Sequence, residues 1–186
     1  MMQRRLFLRG SAPVLGAISA GFITGSGTIL AQSSLPTTPR ASTILYVFGN
    51  ALQANSVLRP EDLRQLPEAM QSSFTQTRSV AGSEQKTTVR GVKLPALIER
   101  LGLSNAGKAN WKTLLITCTA TDDYRAIFTW PELINSPAGE GVLVLHERDG
   151  QSLVAREGLI ALQTTGDFRL GARHVRNLLR IEVSVV

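Results

Sequence analysis

The stretch Gly171-Ala172-Arg173-His174-Val175-Arg176-Asn177-Leu178-Leu179-Arg180-Ile181-Glu182-Val183, followed by Ser184 and Val185, decides the fold. Ile181, Val183 and Val185 alternate with Arg180, Glu182 and Ser184. That period of two belongs to a strand with one buried face, because successive side chains of a strand point to opposite sides. Residues 179–185 are therefore expected as a half-buried strand.

Working back from this strand, further runs of strand formers appear at 43–49 (TILYVFG), 113–120, 124–129, 142–146, 152–155 and 159–163. Residues 72–80 and 84–90 flank Ala81-Gly82-Ser83 and read as a hairpin, and Arg148-Asp149-Gly150-Gln151 is a second hairpin turn. Helices are short. Pro60 followed by Glu61 and Asp62 opens one that ends near Pro67. Leu94, Leu97, Ile98 and Leu101 recur at helical spacing before a stop at Gly102, and 130–134 makes one turn. With strands dominant, no strict βαβ alternation and no repeat, the expected class is α+β, a single domain over 43–186.

Composition agrees. Of 186 residues, 43% are apolar and 18% charged, which excludes a largely disordered chain. One cysteine excludes an intrachain disulfide and a Cys-rich zinc fold. Aromatics at 5% are too sparse for a single-strand nucleic-acid stacking platform.

The N-terminus reads as an address. Arg4-Arg5 with Phe7, Leu8 and Arg9 precede an uncharged stretch, 10–30, that contains Gly10, Gly16, Gly21, Gly25 and Gly27. A basic pair before a weakly hydrophobic segment has the layout of a twin-arginine export signal, with cleavage after Ala31 or Ser33. An uncleaved anchor is the other reading, although the stretch is poor in Leu and Val. Removing 1–31 takes away three arginines and no acid, which lowers the formal charge from +6 to +3. A nucleic-acid partner then loses most of its support. The expected location is the periplasm, with no stable membrane span after cleavage, and 32–42 is a linker containing Pro36 and Pro39.

There is no phosphate-binding glycine loop, no His-Glu-x-x-His and no paired cysteine motif. His146 reads as a packed strand residue and Cys118 as a small buried hydrophobe, a redox or ligand role being the alternative. Asp122-Asp123-Tyr124 is a solvated turn or an acid–base or cation site. The densest chemistry is the group Arg169, Gly171, Arg173, His174, Arg176 and Arg180, four arginines within twelve residues. Guanidinium forks match carboxylate and phosphate oxygens, and Gly171 leaves room for a backbone N–H to approach an anion. A solvated basic edge explains the same residues.

The same segment, 171–183, resembles the C-terminal motif of the sulfite-oxidase-type molybdopterin-binding domain family, Gly-Ala-Arg-x-Val-Lys/Arg-x-Leu before a strand ending Ile-Glu-Val. Residues 58–67 (LRPEDLRQLP) and 90–98 (RGVKLPALI) are similar to its earlier blocks, in the same order. The resemblance implies a mixed, largely antiparallel core. It also implies an anionic molybdopterin held by Arg173 and Arg176, with Gly171, His174 and Tyr124 in the cofactor-binding set. The family's thiolate ligand to molybdenum precedes the second block, yet 68–95 holds no cysteine, and Gln163 stands where larger members carry an arginine. The function this implies is an exported, oxidoreductase-like molybdopterin binder with a possible periplasmic redox partner and no catalytic residue assigned. The rival is a binding module that keeps the fold and has lost the metal site, and a third reading is a structural domain with no pocket.

Overall fold

The structure, a computed structural model, describes residues 40–186 apart from 81, 154–156 and 170, and leaves out the side chains of Arg78 and Val80. The stretch expected to be an export signal, 1–31, and most of the expected linker, 32–42, lie outside the described residues. The linker's last residue does not behave as a loose arm. Ser42 is buried, its Oγ donates to the Ile160 carbonyl at 3.0 Å, and its own carbonyl accepts from Leu159 N–H.

The chain runs β1 (Leu45–Phe48), β2 (Ser56–Leu58), α1 (Pro60–Arg64), β3 (Gln71–Val80), β4 (Ser83–Lys93), α2 (Leu94–Leu101), α3 (Asn105–Ala109), β5 (Leu114–Ala120), β6 (Arg125–Thr129), α4 (Trp130–Asn135), β7 (Val142–Arg148), β8 (Gln151–Ser152), β9 (Ala161–Thr164) and β10 (Leu178–Val185). This is a mixed α+β fold with two sheets and short helices, as the strand-rich pattern predicts. The first sheet has the order β2-β1-β10-β5-β6. Its central strand is β10, parallel to β1 and antiparallel to β5. The second sheet runs β3-β4-β7, and β7 pairs further with β8 and β9.

Local signals explain several boundaries. Gly102 ends α2 at φ 81, a left-handed conformation that glycine adopts without steric cost, and its N–H returns to the Ile98 and Glu99 carbonyls. Asp149 and Gly150 both have positive φ, the requirement of a tight I′ hairpin turn between β7 and β8. In α4 the Thr129 hydroxyl accepts from Glu132 N–H at 3.2 Å and caps the helix.

Alternation does what the sequence predicts in β10. Ile181 and Val183 are buried, while Arg180, Glu182 and Ser184 stand on the other face. The buried face joins Leu45, Val47, Ile116, Cys118 and Phe128 from its sheet, Leu97 and Ile98 from α2, and Val142, Val144 and Leu162 from the second sheet. β7 is buried on both sides: Leu143 and Leu145 pack with Val89, Leu153 and Ala161 in a smaller cluster. Each fully buried Leu, Ile or Phe is worth roughly 1.5–3 kcal/mol over exposure. An exposed ion pair is worth about 0–1 kcal/mol. Apolar burial between the sheets therefore outweighs surface charge in setting this fold.

Cys118 belongs to that core and is fully buried, with its thiol pushed well above the ordinary range by desolvation. The folded protein is expected to resist iodoacetamide at Cys118 and to be alkylated after unfolding in denaturant, as read by mass. Equal rates in both states would contradict this burial.

Candidate functional site

The arginine-rich segment forms the connection from β9 to β10. Its geometry is set by Arg173. The Arg173 guanidinium makes a two-point contact with Asp167, Nε donating to Oδ2 at 2.9 Å and Nη2 to Oδ1. Nη1 donates to Glu132 Oε1 on α4 at 2.6 Å, and the guanidinium carbon stacks 4.8 Å from the centre of the buried Phe128 ring. Thr164 Oγ1, at the end of β9, donates to the same Asp167 carboxylate at 2.6 Å. One cation is thus closed between two carboxylates and an aromatic face. These contacts hold the Asp167 carboxyl below its usual range, chiefly through the Arg173 hydrogen bond, and keep Arg173 firmly protonated. The arrangement ties the loop to β9, β6 and α4.

The other residues of the expected cofactor set lie around this clamp. Tyr124 Oη donates to the Ala172 carbonyl at 2.6 Å, so it holds the loop from the β5–β6 turn. Gly171 is exposed, and an added Cβ would meet nothing, so no close backbone approach demands a glycine there. His174 is half-buried with Nε2 3.7 Å from Glu157, whose carboxylate is taken by Arg148 in a two-point contact at 3.0 and 2.8 Å. Arg176 is exposed. Gln163 is buried within β9, in register with Leu143.

The residues described do not fit the pterin and metal that the resemblance implies at this loop. A phosphate or pterin anion beside Arg173 would have to displace Asp167 and Glu132, which together outweigh the charge of the arginine. The lone thiol lies in the apolar core, where deprotonation is suppressed.

A second feature appears on the face of the first sheet that no described element covers, and sequence reasoning missed it. Register places Tyr46 beside Arg180 on one side and Val57 on the other. Arg180 in turn lies beside Thr119, which pairs with Arg125. Between Tyr46, Phe48, Asn55, Val57 and Arg180 lies a hollow of about 330 Å³. Arg180 also borders a smaller one of about 110 Å³, with Phe48, Thr117, Thr119, Arg125 and Glu182. Arg180 Nη2 contacts Asp123 Oδ1 at 3.2 Å, and that carboxylate is three-quarters exposed. Asp123 sits at φ 64 in the β5–β6 turn, where Asp122 Oδ1 accepts from Tyr124 N–H at 3.1 Å. Arg180 thus borders both hollows, and its ion-pair partner, Asp123, is largely exposed. The signal was present as alternation in β10, but the hollow needs β1 and β2, and their place beside β10 is not local in sequence.

No protein-family model matches the chain, and no curated protein is significantly similar to it. No described helix is long and apolar enough to cross a membrane.

Proposed function

We infer that this domain binds a small organic anion without transforming it, and that it acts outside the cytoplasm after export by the twin-arginine route. The observation that carries this reading is the contrast between two arginines of one cluster. Arg173 is neutralised by Asp167 and Glu132 and holds the loop. Arg180 borders a hollow and meets a single, highly exposed carboxylate. The first is a structural clamp and the second an anion receptor.

The order of the motif blocks supports a sulfite-oxidase-type domain that has kept its scaffold and serves as a binding module. The buried thiol and the closed Arg173 favour this over the oxidoreductase-like molybdopterin reading. Protein purified from its native host with the signal intact separates the two. The expected result is neither pterin fluorescence after oxidation nor stoichiometric molybdenum, together with a thermal shift on adding an organic anion. Stoichiometric pterin on that protein would overturn the binding-module reading.

A further inference from the structure

We propose that the hollow between Tyr46, Phe48, Val57 and Arg180 is a site for a small aryl monocarboxylate. The ring lies on the apolar floor, and the carboxylate meets the Arg180 guanidinium. This rests on the anion-binding reading above and names its ligand class.

Four observations carry it. First, the volume of about 330 Å³ is at the small end of ligand pockets, which run roughly 300–1,000 Å³, and suits one ring with a short substituent. Second, its lining pairs an aromatic and apolar surface with one cation at the side. Tyr46 is 40% exposed and Val57 57% exposed, on a sheet face that no described element covers. Third, the site is held by backbone. Tyr46 is paired to Arg180 and to Val57 by strand register, and Asn55, which also lines the hollow, accepts from Gly49 N–H on its Oδ1 at 3.4 Å. Fourth, the charges present choose among anions. Asp123 contacts Arg180, and Glu182 and Arg125 both border the smaller hollow that Arg180 and Phe48 share. Two arginines against two carboxylates leave no net positive charge, so a doubly charged anion gains little there, while a monocarboxylate whose ring lies on the apolar floor can replace the exposed Asp123 contact. Such an exposed pair is worth only about 0–1 kcal/mol, so displacing it costs little.

The test is backbone and arginine-side-chain NMR on the full chain, titrated separately with benzoate, acetate and inorganic phosphate. Benzoate is expected to shift the signals of Tyr46, Val57 and Arg180, at least tenfold more tightly than acetate or phosphate. Arg180→Gln is expected to weaken benzoate at least tenfold, and Arg180→Lys, which keeps the charge and controls for folding, to weaken it less. If acetate or phosphate shifts Arg180 as tightly as benzoate, the aryl assignment is overturned and anion binding stands. If benzoate shifts Arg169 or Arg176 instead, this site is overturned and the anion-binding reading moves to the loop. If no anion shifts any of these arginines, both fail.

Discussion

Replacing Arg173 with alanine is expected to lower stability by about 3 kcal/mol, because the change strands two carboxylates that the guanidinium now satisfies. Asp167 and Glu132 side chains are 16% and 36% exposed. Water therefore rescues them partly, which keeps the cost below that of a fully buried broken pair, roughly 3–5 kcal/mol, or at its lower end. For a domain of this size each kcal/mol moves Tm by roughly 2–4 °C, so thermal unfolding should fall by about 6–12 °C. Arg173→Lys keeps the charge and loses the fork, and is expected to recover less than half. Adding Asp167→Asn and Glu132→Gln to Arg173→Ala should restore part of the loss, since the stranded charges are removed with their partner. A Tm unchanged by Arg173→Ala would mean that the clamp does not hold the loop.

Acidification should destabilise the fold through His146. The ring is buried in β7, and its Nε2 lies 3.0 Å from Gln71 Oε1. Gln71 Nε2 donates to the Leu63 carbonyl at 2.8 Å, which leaves the amide oxygen facing the ring. Nε2 of the histidine therefore carries the proton, and buried Nδ1 has no hydrogen-bond partner among the described residues. Burial first, then the nearby charges of Arg64 and Arg90, lower the pKa from 6.5 to about 4. The folded-state value lies below the unfolded one, so between those two pH values the unfolded chain binds more protons. Stability is then expected to fall as pH drops from about 6.5 to about 4, by up to about 3 kcal/mol, and to change no further through this group below that. Asp167 acts in the same direction at lower pH, because its depressed pKa means that stability is lost as the carboxylate is protonated. Denaturant midpoints measured across this range check the claim. His146→Gln, whose amide can still donate to Gln71, should flatten the slope between pH 6.5 and 4. An equally steep slope in that variant would assign the acid loss elsewhere.

What the sequence made legible follows the range of each interaction. The alternation of 179–185, the Asp149-Gly150 turn and the stop at Gly102 are local, and each lies where its residues predict. The three-residue strand β2 and the helix α3, with Asn105 and Gly107 in a five-residue span, carry too little pattern to be read. The arginine cluster shows the same divide at the level of function. Asp167 is six residues from Arg173 and visible in the sequence, but Glu132 is 41 residues away and reaches it only through the packing of α4. Counting charges along the segment therefore overstated the cations available to a ligand. Arg180 read as one more member of that cluster. Its parallel neighbour β1, more than a hundred residues earlier, is what gives it a hollow.

The central claim is that two arginines seven residues apart have opposite roles, one sealed and one receptive. Arginine Nε–H NMR of the full chain during a benzoate titration tests this most directly. The account predicts that the Arg180 signal moves to saturation while the Arg173 signal stays fixed and slow to exchange with water. Movement of Arg173 with Arg180 unmoved would contradict it and return the anion to the loop.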